Sequence, residues 1–420
     1  MVYILIMDRL QKTYIFDEKV HAGKMIFLSG PRQVGKTTFA RNYLKQAADN
    51  VLYWNWDDPL VRREYQKNPR FIEPLIAASK NACPIVVFDE IHKQKNWKNI
   101  LKGFYDVFKG RAIFFVTGSA RLDFFRSSGD SLVGRYFSYR LLPLGLPEAA
   151  GDFSKPRADA PAIFTSVQDK VFLKALMSFD EVSCKRSFSR LLTYGGFPEP
   201  FIKANAGFSL RWRKDYASLL TREDIRDLTR IQDIRGVEHL LLLLPERIGA
   251  PLSVNSLRED LDVHHKTVTQ WLDAFKKIYL VFSIKPWTEH VARAIKKEEK
   301  YYFYDWTFVE SESYRFENML AVMLLRMICR FNELGLGDFD LRYIRNKNKE
   351  EIDFLIVKDR KPFALFEAKT KETDIPSHAT KFAHALKVPY YQVLSQGGDV
   401  QVMGEGRYVL PAWRLFMLTA

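Results

Sequence analysis

The first part of the chain alternates short apolar runs with stretches of helical periodicity. The apolar runs cover residues 25–29, 51–56, 85–88 and 112–117. Continuous runs of this length are typical of strands buried on both faces. The pattern between the first two runs predicts a helix over about residues 37–48. Strands separated by helices favour an α/β fold with a parallel, doubly wound sheet over about residues 24–148.

The pattern changes after residue 150. Residues 151–236 are mostly of helical type, with a break at Gly195, Gly196 and Pro198 that predicts a turn. Residues 251–286 predict a short helix, a tight link at Asp262 and Val263, a second helix and a strand. From about residue 292 a helix over residues 316–331 is mixed with several strands. At 420 residues, the chain has room for about three domains.

The net charge of the chain favours one class of binding partner but does not identify it. Lysine and arginine total 64 against 50 acidic residues, which gives a formal net charge of +14. This surplus favours DNA or RNA, because each neutralised phosphate releases condensed counterions. A basic protein that only binds nucleotide is the alternative. No run reaches the roughly 18 apolar residues of a membrane span, so no membrane partner is expected.

Cysteine usage indicates the compartment. Cys83, Cys184 and Cys329 are far apart in sequence, so neither a CxxC metal site nor a disulfide framework is indicated. A cytoplasmic location is therefore expected.

The sequence between the first apolar run and the first helix matches the pattern GxxxxGK[ST]. Its residues are Gly30, Pro31, Arg32, Gln33, Val34, Gly35, Lys36, Thr37 and Thr38. Glycines at both ends allow a tight turn whose N–H groups point inward, and the following helix adds its positive dipole end. We expect this loop to bind the phosphates of ATP. Lys36 is expected to reach the β and γ phosphates, and Thr37 to coordinate Mg²⁺.

The apolar run at residues 85–88 ends in two carboxylates, Asp89 and Glu90. In a parallel sheet this strand end lies at the edge where ligands bind. Asp89 is expected to hold Mg²⁺, and Glu90 to orient or deprotonate the attacking water. The pair is weak evidence alone, but it is strong in this order after the glycine-rich loop.

Two further positions are candidates for sensing the γ-phosphate. Ser119, or Thr117 before it, follows the next apolar run, although a polar turn is the plain alternative. Arg135 could contact the γ-phosphate in the same subunit or across a homo-oligomer interface. An ordinary surface arginine is the competing interpretation.

Polar and apolar positions separate cleanly on the predicted helix over residues 265–278. Val268, Leu272, Phe275 and Ile278 follow helical spacing and should face a core. The other face carries His264, Lys266, Thr267, Thr269, Gln270, Lys276 and Lys277. This face could enter the major groove of DNA, or it could serve packing and oligomerisation.

A second constellation of charges lies near the C-terminus. Asp353 begins an apolar strand, and Glu367 and Lys369 end another. Residues two apart project from the same face of a strand, and a hairpin would bring Asp353 to them. Two carboxylates and a lysine on one face suit metal-dependent phosphodiester cleavage, with Asp353 and Glu367 as metal ligands. Glu317 and Gln392 could complete the site.

With these motifs in hand, the chain resembles the AAA-superfamily ATP-binding proteins of bacteria and archaea that have a C-terminal domain of unknown function. The resemblance lies in GPRQVGKTT at 30–38, FDEIHK at 88–93, TGSARL at 117–122, SLVGRYFSYRLLPLGLPE at 131–148 and GGFPEP at 195–200. It implies an AAA-type core, a helical lid, a winged helix and a restriction-endonuclease-like domain. Asp353, Glu367 and Lys369 resemble the active-site core of that nuclease fold. Where the family has an Asp-x-Gly turn, this chain has Asp305, Trp306 and Thr307.

The expected architecture is therefore a P-loop AAA-type ATPase core over residues 1–150, a helical lid over 151–235, a winged helix over 236–290 and a restriction-endonuclease-like domain over 291–420. The expected function is ATP binding and hydrolysis coupled to DNA, with ATP and Mg²⁺ as cofactors. The alternative is a nucleotide-dependent signalling or scaffolding switch that binds protein partners and has an inactive nuclease-like domain.

Overall fold

The computed structural model describes residues 7–47, 52–80, 83–118, 132–152, 161, 164, 169–228, 231–288, 298–371, 374–404 and 406–418. The chain divides into two compact units, Met1–Leu142 and Pro143–Ala420. Across the described residues, no helix is long and apolar enough to cross a membrane.

The first unit is built on a five-stranded sheet. Its strands are β1 (Met25–Ser29), β2 (Leu52–Asn55), β3 (Ile85–Asp89), β4 (Ile113–Thr117) and β5 (Tyr136–Arg140). They lie in the order β2-β3-β4-β1-β5, and every pair is parallel. The parallel sheet predicted from the apolar runs is confirmed, and β5 is an additional strand.

Helices cover both faces of this sheet. They are α1 (Glu18–His21), α2 (Lys36–Ala47), α3 (Pro59–Lys67), α4 (Glu73–Ala77) and α5 (Trp97–Phe108). Consecutive strand residues point to opposite faces, so Phe114 packs against Phe104 of α5, whereas Phe115 packs against Phe39 of α2. The two ring pairs have centroid distances of 6.2 Å each. The sheet is therefore buried on both sides, as its continuous apolar runs predict.

The second unit begins with helices. They are α6 (Leu146–Ala150), α7 (Asp169–Leu176), α8 (Glu181–Tyr194), α9 (Pro198–Lys203), α10 (Ala206–Leu219), α11 (Ile225–Leu228) and α12 (Ile234–Leu243). Next come α13 (Val254–Leu261), α14 (His265–Lys277) and strand β6 (Val281–Pro286). This is the helix, turn, helix, strand order expected for residues 251–286. The turn rests on Asp262, whose φ is +51°.

The second unit continues into a mixed eight-stranded sheet. Its other elements are β7 (Lys300–Phe303), α15 (Glu312–Glu333), β8 (Phe339–Arg345), β9 (Glu351–Lys358), β10 (Lys361–Lys369), α16 (Ser377–Leu386), β11 (Tyr390–Leu394), β12 (Gln401–Val402), β13 (Arg407–Pro411) and α17 (Ala412–Leu418). The strand order is β12-β13-β11-β10-β9-β8-β6-β7. Apolar side chains of β8 to β11 pack with Ala379 and Ala383 of α16 in one core.

The two glycines after α8 are required by close packing. A Cβ on Gly195 would lie 2.7 Å from Asp305 Oδ1, and one on Gly196 would lie 2.7 Å from the ring of Trp306. The indole Nε1 of Trp306 donates to the carbonyl of Leu191 at 2.9 Å. Asp305 in turn accepts the backbone N–H of Thr307 at 3.1 Å. The Asp305 turn and the glycine pair are therefore one packed structure, which forms without glycine at residue 307.

Candidate functional site

The predicted phosphate-binding loop is a sharp turn between β1 and α2. Gly30 and Gly35 have φ values of +146° and +100°, a region in which a side chain is strained. A Cβ on Gly30 would also collide with the backbone carbonyl of Leu141. The turn curls the chain around the amino end of α2, where N–H groups have no partner within the helix. The remaining loop residues are Pro31, Arg32, Gln33 and Val34, and Thr38 lies in the first turn of α2.

Lys36 is buried within this loop. Its ammonium group donates to the carbonyls of Gly30 at 2.9 Å and Pro31 at 2.6 Å. The side chain is 7% exposed, which is rare for lysine unless it is paired. The loop therefore positions a cation at its own mouth, at the positive end of α2.

Asp89, the last residue of β3, accepts hydrogen bonds from three hydroxyl groups. Thr37 and Tyr53 donate to its Oδ2 at 2.8 and 2.6 Å. Thr117, its neighbour in the sheet register, donates to Oδ1. The carboxylate is thus fixed at the carboxyl edge of the sheet, beside the first turn of α2.

The oxygen atoms of Thr37 and Asp89 fit Mg²⁺. This ion prefers hard oxygen ligands and keeps several waters. A hydroxyl and a carboxylate oxygen 2.8 Å apart could hold it together, Thr37 directly and Asp89 through the water shell.

Glu90 follows Asp89 in a left-handed backbone conformation, with φ at +59°. Its N–H donates to the carbonyl of Thr117 at 3.0 Å, and its Oε2 lies 3.3 Å from Nε2 of the buried His92. Burial raises the pKa of the Glu90 carboxyl, Lys36 partly opposes this shift, and Asp89 adds to it. A carboxylate with a raised pKa is a stronger base, as general-base catalysis near neutral pH requires.

Ser119 and Thr117 are the two alternatives predicted to sense the γ-phosphate at the end of β4. Ser119 lies outside the described residues, so its role stays a prediction. Thr117 is fully buried, and its hydroxyl is hydrogen-bonded to Asp89 at the end of β3. Its role as a γ-phosphate sensor also stays a prediction.

Arg135 lies at the amino end of the parallel strands, opposite the carboxyl end that carries Asp89. It precedes β5, and its carbonyl accepts the N–H of Met25, the first residue of β1, at 2.9 Å. Because β1 and β5 are parallel, the length of β1 separates this position from Gly30. The guanidinium instead pairs with Asp106, with Nε 3.0 Å from Oδ1. This position favours the surface-arginine interpretation over action in the same subunit, and action from a neighbouring subunit stays a prediction.

Tyr53 is a site residue that the sequence pattern does not single out. It lies in β2, next to β3, and its hydroxyl reaches Asp89 as described above. The guanidinium of Arg41, on α2, lies 4.9 Å from the centre of its ring. Burial and Asp89 together raise the pKa of the Tyr53 hydroxyl above its ordinary value, so it stays protonated and donates. Only the strand order, which the sequence does not reveal, brings this residue to the site.

Under the expectation of Mg²⁺-dependent ATP hydrolysis drawn from the sequence, replacing Tyr53 with phenylalanine should lower the rate of turnover about 10-fold and raise the Mg²⁺ concentration needed for half-maximal rate. The change removes one hydrogen bond to a charged carboxylate, for which about 1.5–3 kcal/mol is typical. The KM for ATP should change little, because Tyr53 contacts Asp89 and not the loop. Steady-state kinetics in an Mg²⁺ titration would measure this. Tyr65→Phe, in α3 of the same unit, is the matched control, and equal Mg²⁺ curves for both variants would contradict the role.

A glycine-rich loop, its lysine and two strand-end carboxylates thus meet at one edge of a parallel sheet. Residues 22–150 match the AAA domain family. This match includes the whole loop, Asp89 and Glu90. A second match, to a domain of unknown function (DUF8612), covers residues 185–311, and it includes both the glycine pair and the Asp305 turn.

The similarity to two curated proteins covers more of the chain than the AAA domain. An uncharacterized protein of Mycobacterium tuberculosis is 22% identical over 286 residues, which are 68% of this chain and 55% of that protein. The chain thus spans about half the length of the curated relatives it matches. Among solved structures, AMPPCP-bound DnaA from Aquifex aeolicus is 12% identical with a TM-score of 0.29, over 64% of this chain and 86% of that one. The Hsp104–ADP complex of S. cerevisiae is 14% identical with a TM-score of 0.27, over 61% and 35%.

Outside the AAA domain, β9 and β10 form the antiparallel hairpin expected from the sequence. Asp353 lies in β9, and its Oδ2 accepts the backbone N–H of Ala368 at 3.0 Å. Ala368 lies between Glu367 and Lys369, so the hairpin brings the three predicted residues to one end of β10.

The carboxylate of Glu367 is occupied by its neighbours. Lys369 Nζ lies 2.6 Å from its Oε1, and the hydroxyl of Tyr390 donates to its Oε2 at 2.6 Å. Gln392 lies beside Glu367 in the sheet register, and its Oε1 is 3.4 Å from the same hydroxyl. Gln392 is therefore near Glu367, as expected, and contacts it through Tyr390.

Lys300, in β7, is the central cation of a second group of carboxylates. Its Nζ lies 2.6 Å from Glu351 Oε1 and 3.6 Å from both Glu317 Oε1 and Asp353 Oδ1. Burial, and then Asp353, raise the pKa of Glu317, and the ammonium group of Lys300 partly opposes this shift. The sequence pattern does not single out Lys300, because a lysine at the charged start of an apolar run resembles a solvated strand end.

The side chains of the C-terminal constellation do not form a clear metal centre. In the part of the chain that the structure describes, no three His, Cys, Asp or Glu residues are grouped as ligands for an ion. Asp353 accepts from the N–H of Ala368 and Glu367 accepts from the hydroxyl of Tyr390, and the metal-ligand role predicted for both stays a prediction.

Proposed function

We propose that this chain is a Mg²⁺-dependent ATPase whose active site is the loop Gly30–Thr38 with Asp89 and Glu90. The observation that supports this most is the position of Asp89. Its carboxylate is held by the hydroxyls of Thr37 and Thr117, directly beside the helix that follows the loop. Oxygen atoms from two strands and a helix thus converge where a nucleotide's phosphates would meet Mg²⁺.

Each residue has a distinct part in hydrolysis. The loop N–H groups and Lys36 bind the β and γ phosphates and neutralise charge that develops on them. Thr37 and Asp89 would hold the Mg²⁺, which supplies further neutralisation of the phosphate oxygens. Glu90 orients the attacking water and takes its proton. His92, 3.3 Å from Glu90, restrains the direction of that carboxylate.

We further propose that hydrolysis is coupled to DNA. The helical lid, the winged helix and the restriction-endonuclease-like domain expected from the resemblance belong to this proposal. Support comes from α14, where the residues predicted to face the core are buried, while His264, Lys266, Thr269, Gln270 and Lys277 are exposed. Exposed polar and basic side chains on the second helix of a helix-turn-helix suit a major groove. Lys276 is held by Asp273, with Nζ 2.9 Å from Oδ1.

The test is ATP turnover of the full chain with and without double-stranded DNA. We expect DNA to stimulate turnover and the stimulation to fall steeply between 50 and 200 mM salt, because phosphate contacts release counterions (about 10³-fold or more in affinity for six contacts). Lys266→Ala should weaken the DNA effect without changing basal turnover, whereas Lys203→Ala, on α9, is the control. Basal turnover that DNA does not alter at any salt would contradict the coupling but not the ATPase.

A second candidate is a nucleotide-dependent switch that binds protein partners, with a nuclease-like domain that does not cleave. The internal donors on Asp353 and Glu367 favour it. A homo-oligomer, with Arg135 acting on a neighbouring site, fits either candidate. Recovery of one protein partner in a pull-down free of DNA and independent of salt would favour the switch.

A further inference from the structure

Lys300 is a buried cation in the middle of the C-terminal carboxylates. Its side chain is 0% exposed, although lysine is almost never fully buried unless it is paired. β7 pairs with β6, with Lys300 opposite Ile284, so the strand fixes where the side chain begins. Lys300 is therefore a core residue whose position is fixed by the strand pairing.

Three carboxylates from two elements surround its ammonium group. Glu351 and Asp353 come from β9, and Glu317 comes from α15. The distances of 2.6 Å to Glu351 and 3.6 Å to the other two are those of an ion-pair cluster. The hydroxyl of Tyr302 also donates to Glu317 Oε1 at 2.8 Å. The carboxylate oxygen atoms that could bind a divalent ion therefore face the ammonium group of Lys300 instead.

The remaining predicted ligand belongs to a separate group. Glu367 is neutralised by Lys369 and hydrogen-bonded by Tyr390. Asp353 uses its second oxygen for the N–H of Ala368. Mg²⁺ requires several oxygen atoms in near-octahedral positions at about 2.0–2.1 Å, and a divalent ion placed beside an ammonium group would be repelled. The residues present therefore do not fit a catalytic metal.

We propose that the Lys300 ammonium takes the place of a divalent ion in this carboxylate cluster, so that the C-terminal unit does not cleave DNA. This rests on the proposed nuclease-like character of the unit. It selects one of the two roles open to that unit, and it does not depend on ATP hydrolysis.

The first experiment compares thermal unfolding of the full chain and its variants with and without Mn²⁺. Lys300→Met should lower the melting temperature by several degrees, because buried carboxylates lose their cation. Lys285→Met is the matched control, since this lysine of the adjacent β6 is about half exposed and 3.7 Å from Glu299. In Lys300→Ala, which vacates the position, Mn²⁺ should raise the melting temperature more than in the parent. Equal melting temperatures for Lys300→Met and Lys285→Met would overturn the proposal.

The second experiment remains decisive if the Lys300 variants do not fold. Mn²⁺ bound to the parent and to Asp353→Asn is counted by electron paramagnetic resonance, and both proteins are incubated with supercoiled and linear DNA. We expect equal Mn²⁺ counts and no cleavage by either protein. One Mn²⁺ lost in Asp353→Asn, or cleavage lost with it, would overturn the proposal. DNA binding is measured on the same samples by fluorescence anisotropy, so failure of the DNA role is seen separately from failure of the metal-free role.

Discussion

Replacing Lys36 with alanine is expected to lower the affinity for ATP by at least about 100-fold. Lys36 is the cation that the loop holds against the carbonyls of Gly30 and Pro31, and in the proposed complex it would transfer to the phosphates. Hydrogen bonds to charged groups contribute about 1.5–3 kcal/mol each, and about 1.4 kcal/mol corresponds to a tenfold change in affinity. Isothermal titration calorimetry with ATP and Mg²⁺ measures the loss.

The control for this change is Lys109→Ala, an exposed lysine that follows α5 in the same unit. It should bind ATP as the parent does. If Lys36→Ala bound ATP with unchanged affinity, the assignment of the phosphate-binding loop would be wrong, and with it the proposed active site.

Replacing Glu90 with glutamine should leave ATP binding intact and slow turnover by about 10² to 10⁴-fold, the range for losing a positioned base. The amide keeps the size of the side chain but cannot take a proton from water. Single-turnover kinetics separates this loss from any change in binding, and Glu64→Gln on α3 is the exposed control. Comparable rates in Glu90→Gln and the parent would move the base to another residue.

The pH profile of the parent gives a second readout of the same residue. Burial raises the pKa of Glu90, and the base must be deprotonated to act. Turnover should therefore fall as the pH drops through this raised pKa, at a higher pH than an ordinary glutamate would give. This acidic limb should be absent from the residual activity of Glu90→Gln.

Features set by neighbouring residues in the sequence could be predicted well. The loop between β1 and α2 depends on glycines at two positions, and the β9–β10 hairpin depends on two apolar strands with a short link. In both cases the chemistry and the geometry lie within one stretch of sequence, so local pattern and turn preferences are sufficient.

Features set by strand order could not be predicted. Tyr53 meets Asp89 because β2 lies beside β3, and Arg135 misses the loop because β5 runs parallel to β1. The hydrophobic pattern also does not predict strand β5, since its sequence Tyr-Phe-Ser-Tyr-Arg mixes polar and aromatic residues without a continuous apolar run. Lys300 joins Glu317 and Asp353 across three separate elements, which no spacing in the sequence reveals.

The segment 143–150 has a practical consequence for exchanging AAA domains between proteins. The family match extends to residue 150, whereas the first compact unit ends at Leu142. Leu144 and Leu146 are fully buried in the second unit, and Glu148 there accepts from Arg326 at 2.9 Å. A graft of residues 22–150 into another protein would expose two leucines and an acid to water, and it would take from the second unit of this chain the carboxylate that pairs with the buried Arg326. The splice point for a chimaera is therefore the peptide bond before Pro143.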